Sequence, residues 1–281
     1  MIVHSLTPAH YTTARHRPAM RTDRAQIHGF ADDNAIRKRA LATCQCAQVG
    51  ISIYWRGAVP NVWLPCVPTG TRTRIQLTMI TIHHSPLSRS TRVVWFCEET
   101  GIDYRLETVE MFSAAMKRPE YLAINPLGKV PTIEDDGFVL WETGAILQYL
   151  DAKYGHGQLI PAAHTREGAL ARQWMEYGEN PLTVIMGEIV AHGGALPETR
   201  RIPALVDRGS DIAGELVDVV EAALEETSWI LGDDFSAADI MLVFGMMIAD
   251  HLGYVTDNTP RLRAYLDRAM ARPAFQKAVA L

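Results

Sequence analysis

From residue 79 onward the hydrophobic and polar positions fall into short regular patterns, and before it they do not. Ile80–His84 alternates apolar and polar side chains, as a strand does. Ser88–Thr100 reads as a helix with Val93, Phe96 and Cys97 on one face, and Gly101 stands where a left-handed residue would stop it. Tyr104–Val109 is a second strand, so a parallel pair joined by a helical crossover is expected. A short helix is placed around Met111–Leu122.

The stretch NPLGKVPTIEDDGFVLWETGAILQYLDAKYG continues the pattern. Val130–Glu134 and Phe138–Leu140 read as strands, with Asp136-Gly137 as a two-residue hairpin signal between them. Glu142–Tyr154 then carries Ile146, Leu147, Leu150 and Tyr154 at helical spacing. This predicts a compact α/β domain over 79–155. Residues 156–165, within GHGQLIPAAHT, have linker composition, and 166–281 reads as all helical. Its helices are expected over Arg166–Asn180, bent at Pro181, and around Ile212–Leu224, Ile240–Met247 and Arg261–Met270.

Residues 1–78 show no sustained period, and Ala35–Ala42 and Val49–Trp55 lack partners that would bury a face. The expectation is a disordered or non-native extension, with Met79 as the start of the folded protein. An organelle presequence also fits its Arg-rich, acid-poor composition; a secretory signal does not, for want of an apolar core. Charge separates the two parts. Residues 1–78 hold ten Lys/Arg against three Asp, a balance of +7, and the remainder holds 17 basic and 29 acidic residues, or −12. An acidic body argues against nucleic acid as the principal partner. No apolar run reaches the roughly 18 residues of a membrane span, so a soluble protein is expected.

Of the four cysteines, Cys44 and Cys46 form a lone CxC without a matching pair, which argues against zinc. Only Cys97 lies in the acidic body, so no disulfide can form within it and a reducing compartment such as the cytoplasm is expected.

Four places carry candidate chemistry. In HHSPLSRSTRVVWF, His83 and His84 are strand neighbours that point to opposite faces, so they cannot readily share a metal. One is expected to be half-buried and the other solvated. The loop lacks the glycines of a phosphate cradle. Ser88 and Ser90 stand at the turn into a helix, as a plain N-cap or as a site for negative charge. At Val130-Pro131 the proline is either an ordinary edge residue or a cis peptide, which would present the Val130 backbone to an extended peptide. Glu142-Thr143 opens a helix, as an acidic first turn or as a cleft for the ammonium and carboxylate of an amino acid. Phe235-Ser236-Ala-Ala-Asp239-Ile240 is a capping box with Phe235 stapled to Ile240. Ser236 and Asp239 are structural in this reading, and no metal site is expected.

Together these segments resemble the glutathione transferase superfamily, nearest its serine-type theta- or delta-like and bacterial members. SPLSRSTR resembles the active-site loop, NPLGKVPTIEDDGFVLWETGAILQYL the glutathione-site segment, DDFSAADI the capping box and RPAFQKA a common ending. The resemblance spans Met79 to Leu281. It implies a thioredoxin-like domain followed by an all-helical domain, a homodimer, and glutathione lying along the cis-proline edge at Val130 and Pro131. Glu142 and Thr143 would hold its γ-glutamyl end, and Lys129 would approach its glycyl carboxylate. Some relatives have His at position 128 and Arg at position 144, where this chain has Gly128 and Gly144. Ser88 would donate a hydrogen bond to the glutathione sulfur, and the thiolate would attack a small hydrophobic electrophile near Trp174 and Tyr177. Alternatives are an isomerase, dehalogenase or peroxidase of the same fold, or a non-catalytic glutathione-fold binding module.

Overall fold

The computed structural model describes residues 79–111 and 113–281; the expectations for 1–78 lie outside them. Four strands, β1 (Ile80–His84), β2 (Tyr104–Thr108), β3 (Thr132–Asp135) and β4 (Phe138–Trp141), form one sheet in the order β2-β1-β3-β4. β1 and β2 are parallel, joined through helix α1 (Ser90–Thr100), while β3 runs antiparallel to both β1 and β4. Gly101 ends α1 at φ 69, and Asp136 and Gly137 turn the hairpin at φ 51 and 79, as their sequence signals predict.

β1 departs from the alternating expectation, because all five of its residues are buried. It is a central strand, covered on both faces. Its even-numbered residues face α1, as the His84–Ser90 hydrogen bond shows. Its odd-numbered residues face helix α2 (Pro119–Ile124), where His83 meets Tyr121 edge to face at 5.4 Å. His83 also bonds Glu134 on the neighbouring strand at 2.7 Å. Neither histidine is solvated. Each finds a partner through one ring nitrogen, His83 with Glu134 and His84 with Ser90, while His84 Nε2 has none.

Helix α3 (Thr143–Leu150) follows β4 and packs Ile146, Leu147 and Leu150 into the core. The expected helix to Tyr154 loosens after Leu150 into one wider turn, Asp151–Gly155. There Tyr149, Lys153 and Tyr154 all donate to the buried Asp135 carboxylate, at 2.6 to 2.9 Å. Burial would raise that carboxyl, but the hydrogen bonds from Lys153 and the two tyrosines hold it below its usual range.

Everything after the linker is helical: α4 (Arg166–Tyr177), α5 (Val184–Val190), α6 (Pro203–Ala223), α7 (Ala237–His251), α8 (Pro260–Met270) and α9 (Pro273–Ala280). Asn180 leaves helical geometry (φ −130, ψ 114) before Pro181, so the predicted bend is real. α7 is the central helix, with ten of its residues buried. The capping box holds it: Asp239 accepts the Ser236 N–H and hydroxyl at 2.8 Å, and the Ile230 N–H and Tyr265 hydroxyl at 2.9 Å. Phe235 lies against Trp95 of α1 and Trp229, with the Arg272 guanidinium 3.9 Å from its ring. α9 lies beyond the four helices given bounds from the sequence, although Pro273 at its start is a start signal. It folds back on α1, where Arg272 grips Glu99 and Phe275 meets Trp95. Among the described residues no helix is long and apolar enough to cross a membrane.

Candidate functional site

The chain leaves β1 through a tight turn, Ser85–Ser88, before α1 begins. Leu87 takes φ 53 there, and its side chain is 71% exposed. A leucine in the left-handed region costs about 1 kcal/mol or more, and such strain gathers at functional sites. Ser88 is buried beside it. The capping position of α1 falls on Arg89, which makes no side-chain cap. Ser88 does that work from one residue further back, accepting the Ser90 N–H at 3.2 Å. Its own proton has two acceptors, the Ser85 carbonyl and Ser90 Oγ, each at 2.7 Å. Ser90 Oγ in turn accepts the Ser85 N–H at 3.0 Å and lies 2.9 Å from His84 Nδ1. The loop therefore offers a hydroxyl at the positive end of an eleven-residue helix, where negative charge is favoured.

The Val130–Pro131 peptide is cis, and paired register on β3 begins only at Thr132, so Val130 stands outside the ladder. The loop is pinned through the Lys129 carbonyl, which accepts from Tyr121 at 2.7 Å and Asn125 at 2.9 Å. The Lys129 side chain is exposed and makes no ion pair among the described residues. Gly128 has a steric reason to be glycine. It sits at φ 56, and a Cβ there would lie 2.2 Å from the Met116 carbonyl oxygen. A histidine at this position would need a different loop.

Glu142 corrects one expectation. It does not belong to the first turn of α3, which contains no acid. It is the capping residue itself, at φ 75 and ψ 117, with its side chain exposed, while Thr143 is buried at the first helical position. Four non-glycine residues among those described have positive φ. Asp136 sits in a hairpin, His156 closes a helix and Leu87 is the third residue of the Ser85–Ser88 turn, whereas Glu142 has no such local reason.

Beside Glu142 opens a cleft of about 280 Å³, lined by Glu142, Thr143 and Gln148 on one side and Met175, Glu179 and Met241 on the other. Glu179 was not foreseen. It accepts from Arg89 at 2.7 Å and from Arg92 at 2.5 Å. Arg92 is 1% exposed, with Phe244 under its guanidinium at 4.9 Å. Burial lowers its pKa to about 10, with Glu179 opposing the fall, so Arg92 stays charged at neutral pH. Burial would raise the Glu179 carboxyl, but Arg92 and Arg89 outweigh this and hold it below the usual range. Glu179 is therefore spoken for, and Glu142 and Glu176, which make no ion pair among the described residues, remain as carboxylates in the cleft available to a cation.

Trp174 and Tyr177 do not line this cleft. They pair edge to face at 5.4 Å, and the Tyr177 hydroxyl donates to the Leu216 carbonyl of α6. α4 presents Met175 and Glu176 to the cleft, while Trp174 and Tyr177 fall outside its lining. Cys97 is fully buried, and burial pushes its thiol far up, so it is no nucleophile. No cluster of three or more His, Cys, Asp or Glu able to hold a metal occurs among the described residues.

Comparison with known proteins agrees with this architecture. Family models described as glutathione S-transferase N-terminal domain and C-terminal domain match residues 87–153 and 195–273. The chain is 30% identical to glutathione S-transferase 3 of Zea mays over 213 residues, 71% of this chain and 92% of that protein. It is 34% identical to the disulfide-bond oxidoreductase YfcG of Escherichia coli over 169 residues, 58% of this chain and 76% of that one. The theta class glutathione S-transferase from Xanthomonas axonopodis pv. citri, solved with glutathione bound, superposes with a TM-score of 0.62 at 30% identity. That superposition covers 73% of this chain and 99% of the other. A thioredoxin-like sheet domain, an all-helical domain behind it and these likenesses place the chain in the glutathione S-transferase family.

Proposed function

We propose that the chain is a glutathione transferase in which Ser88 donates its hydroxyl to the glutathione sulfur, and the resulting thiolate attacks a small hydrophobic electrophile. The observation that carries this is the Ser88 hydroxyl at the N-terminus of α1, in a family member whose Glu142-Thr143 pair faces a nearby cleft. In this reading Val130 and Pro131 border the cysteinyl unit, and Lys129 approaches the glycyl carboxylate. Glu142 takes the γ-glutamyl ammonium, while Thr143 and the amino end of α3 take its carboxylate.

A free thiol with a pKa of about 8.5 is only a few per cent thiolate at pH 7. Lowering it by about two units takes roughly 2.7 kcal/mol, within reach of one charge-assisted hydrogen bond and a helix terminus. Leu87, exposed beside Ser88, supplies apolar surface for the electrophile. Trp174 and Tyr177, an edge-to-face pair on α4 outside the cleft beside Glu142, would border the electrophile as well. Phe138 and Trp141 on β4 remain exposed in the single chain and suit the homodimer that the proposal includes.

The reading is tested with glutathione and a panel of electrophiles, aryl halides first; no conjugate with any of them, despite glutathione binding, would favour a binding module. Glu142→Ala should weaken glutathione about tenfold in a calorimetric titration. An unchanged affinity would remove Glu142 from the site. The likeness to a disulfide-bond oxidoreductase favours one second reading. Glutathione thiolate would attack a disulfide, forming a mixed disulfide and releasing one thiol, without any protein cysteine. Consumption of a small disulfide by glutathione, with no electrophile accepted, would select it.

A further inference from the structure

The turn into α1 contains a polar group that thiol activation by Ser88 alone does not require. His84 is fully buried, its Nδ1 lies 2.9 Å from Ser90 Oγ, and its Nε2 is buried with no partner. We infer that His84 is a positioning residue for Ser88: as the neutral Nδ1–H tautomer it heads a chain of donors, His84 to Ser90 to Ser88, that aims the Ser88 proton at the glutathione sulfur. The inference rests on the reading of Ser88 given above and adds a residue to it.

A count of donors and acceptors decides the direction of the chain. A hydroxyl oxygen accepts about two hydrogen bonds and donates one. Ser90 Oγ already accepts the Ser85 N–H at 3.0 Å. If His84 donates as well, the acceptor sites of Ser90 are filled and its proton must go to Ser88 Oγ at 2.7 Å or the Ser85 carbonyl at 3.2 Å. The shorter contact wins. Ser88 Oγ then accepts both the Ser90 hydroxyl and the Ser90 N–H, at 2.7 and 3.2 Å, and has only its proton left to give. Without glutathione that proton goes to the Ser85 carbonyl at 2.7 Å. A thiolate, being charged, is the stronger acceptor and takes it.

The opposite tautomer reverses the chain. Ser90 would donate back to His84 Nδ1, leave its oxygen as an acceptor for Ser88, and draw the Ser88 proton away from sulfur. It would also strand a buried Nε2–H, a costlier fault than a bare ring nitrogen, because orphaned N–H groups are the rarer kind. Burial lowers the His84 pKa and no charged neighbour contributes, so the ring is neutral. The nearby charges are engaged elsewhere: Arg89 and Arg92 with Glu179, and Glu134 with His83 on the other face of β1.

The test is an ultraviolet titration of the bound glutathione thiol in wild type, Ser88→Ala, His84→Leu and His84→Asn. Cooperative strengthening of roughly 10–30% per bond, applied to a shift of about two units, predicts that His84→Leu raises the thiol pKa by about 0.2–0.6 units, with glutathione affinity in acid unchanged. His84→Asn, which can place an amide N–H where Nδ1 stood, should restore the wild-type value. A wild-type pKa in His84→Leu, or no rescue by asparagine, overturns the inference. If Ser88→Ala itself leaves the pKa unmoved, the reading of Ser88 has failed instead. Nitrogen NMR of wild-type His84 is independent of how the variants fold: a protonated Nδ1 and bare Nε2 are expected, and the reverse tautomer overturns the proposal.

Discussion

Replacing Ser88 with alanine should slow conjugation about 10- to 100-fold near pH 6.5, because a hydrogen bond to a charged group contributes roughly 1.5–3 kcal/mol. Glutathione should still bind, since in the proposed mode Glu142, Thr143 and Lys129 hold its two ends. The loss should shrink as the pH rises. Once the solution itself ionises the thiol, the hydroxyl has little left to do, and a thiolate of higher pKa is intrinsically the better nucleophile. The expected signature is a pH–rate profile displaced to alkaline pH, with a similar plateau. A variant that conjugates as fast as wild type at every pH would show that Ser88 is only the helix cap that its bond to the Ser90 N–H already makes it.

Glu179→Ala should produce the largest loss of stability, about 3–5 kcal/mol in chemical denaturation, because it leaves a buried charge without its partner. Arg92 is 1% exposed and has no other carboxylate within salt-bridge distance among the described residues. Arg89, which shares Glu179, is more exposed and can turn to water. The attribution is checked by adding Arg92→Met. If the stranded guanidinium is the cause, the double variant should recover most of the loss, because apolar replacements of buried pairs are often neutral. No recovery would mean that Glu179 acts through something other than Arg92. The pair also sets an acid limit. The folded state depresses the Glu179 pKa, so its contribution is present above the ordinary glutamate value and is lost as pH falls through the depressed one. Protonation of Glu179 in acid should weaken the same contact that the alanine variant removes.

Much of this architecture was legible where the signal is local. Asp136-Gly137 has few conformational choices, and Gly101 and Pro181 act on their own backbone, so hairpin, helix stop and bend all fell where expected. The capping box spans only Ser236 to Asp239 and was equally readable. Failures came where the deciding partner is remote. Alternation in Ile80–His84 suggested a half-exposed strand, because nothing nearby says that α2 covers the second face. Glu179 is 87 residues from Arg92, and no periodicity links them. Trp174 and Tyr177 lie outside the lining of the cleft beside Glu142, and the Tyr177 hydroxyl is engaged by the Leu216 carbonyl, a partner 39 residues away. Glu142 and Leu87 adopt backbone angles that sequence pattern disfavours, so their geometry emerged only from the fold. Strand parity puts His84 on the face of Ile82, but that this face meets the helix carrying Ser90 is decided by the fold.

Titrating the bound glutathione thiol by its ultraviolet absorbance, at saturating protein, measures directly whether this chain lowers its pKa. Activation by Ser88 and the helix terminus should put the midpoint about two units below the free thiol value of about 8.5. A bound thiol that titrates where free glutathione does would contradict it.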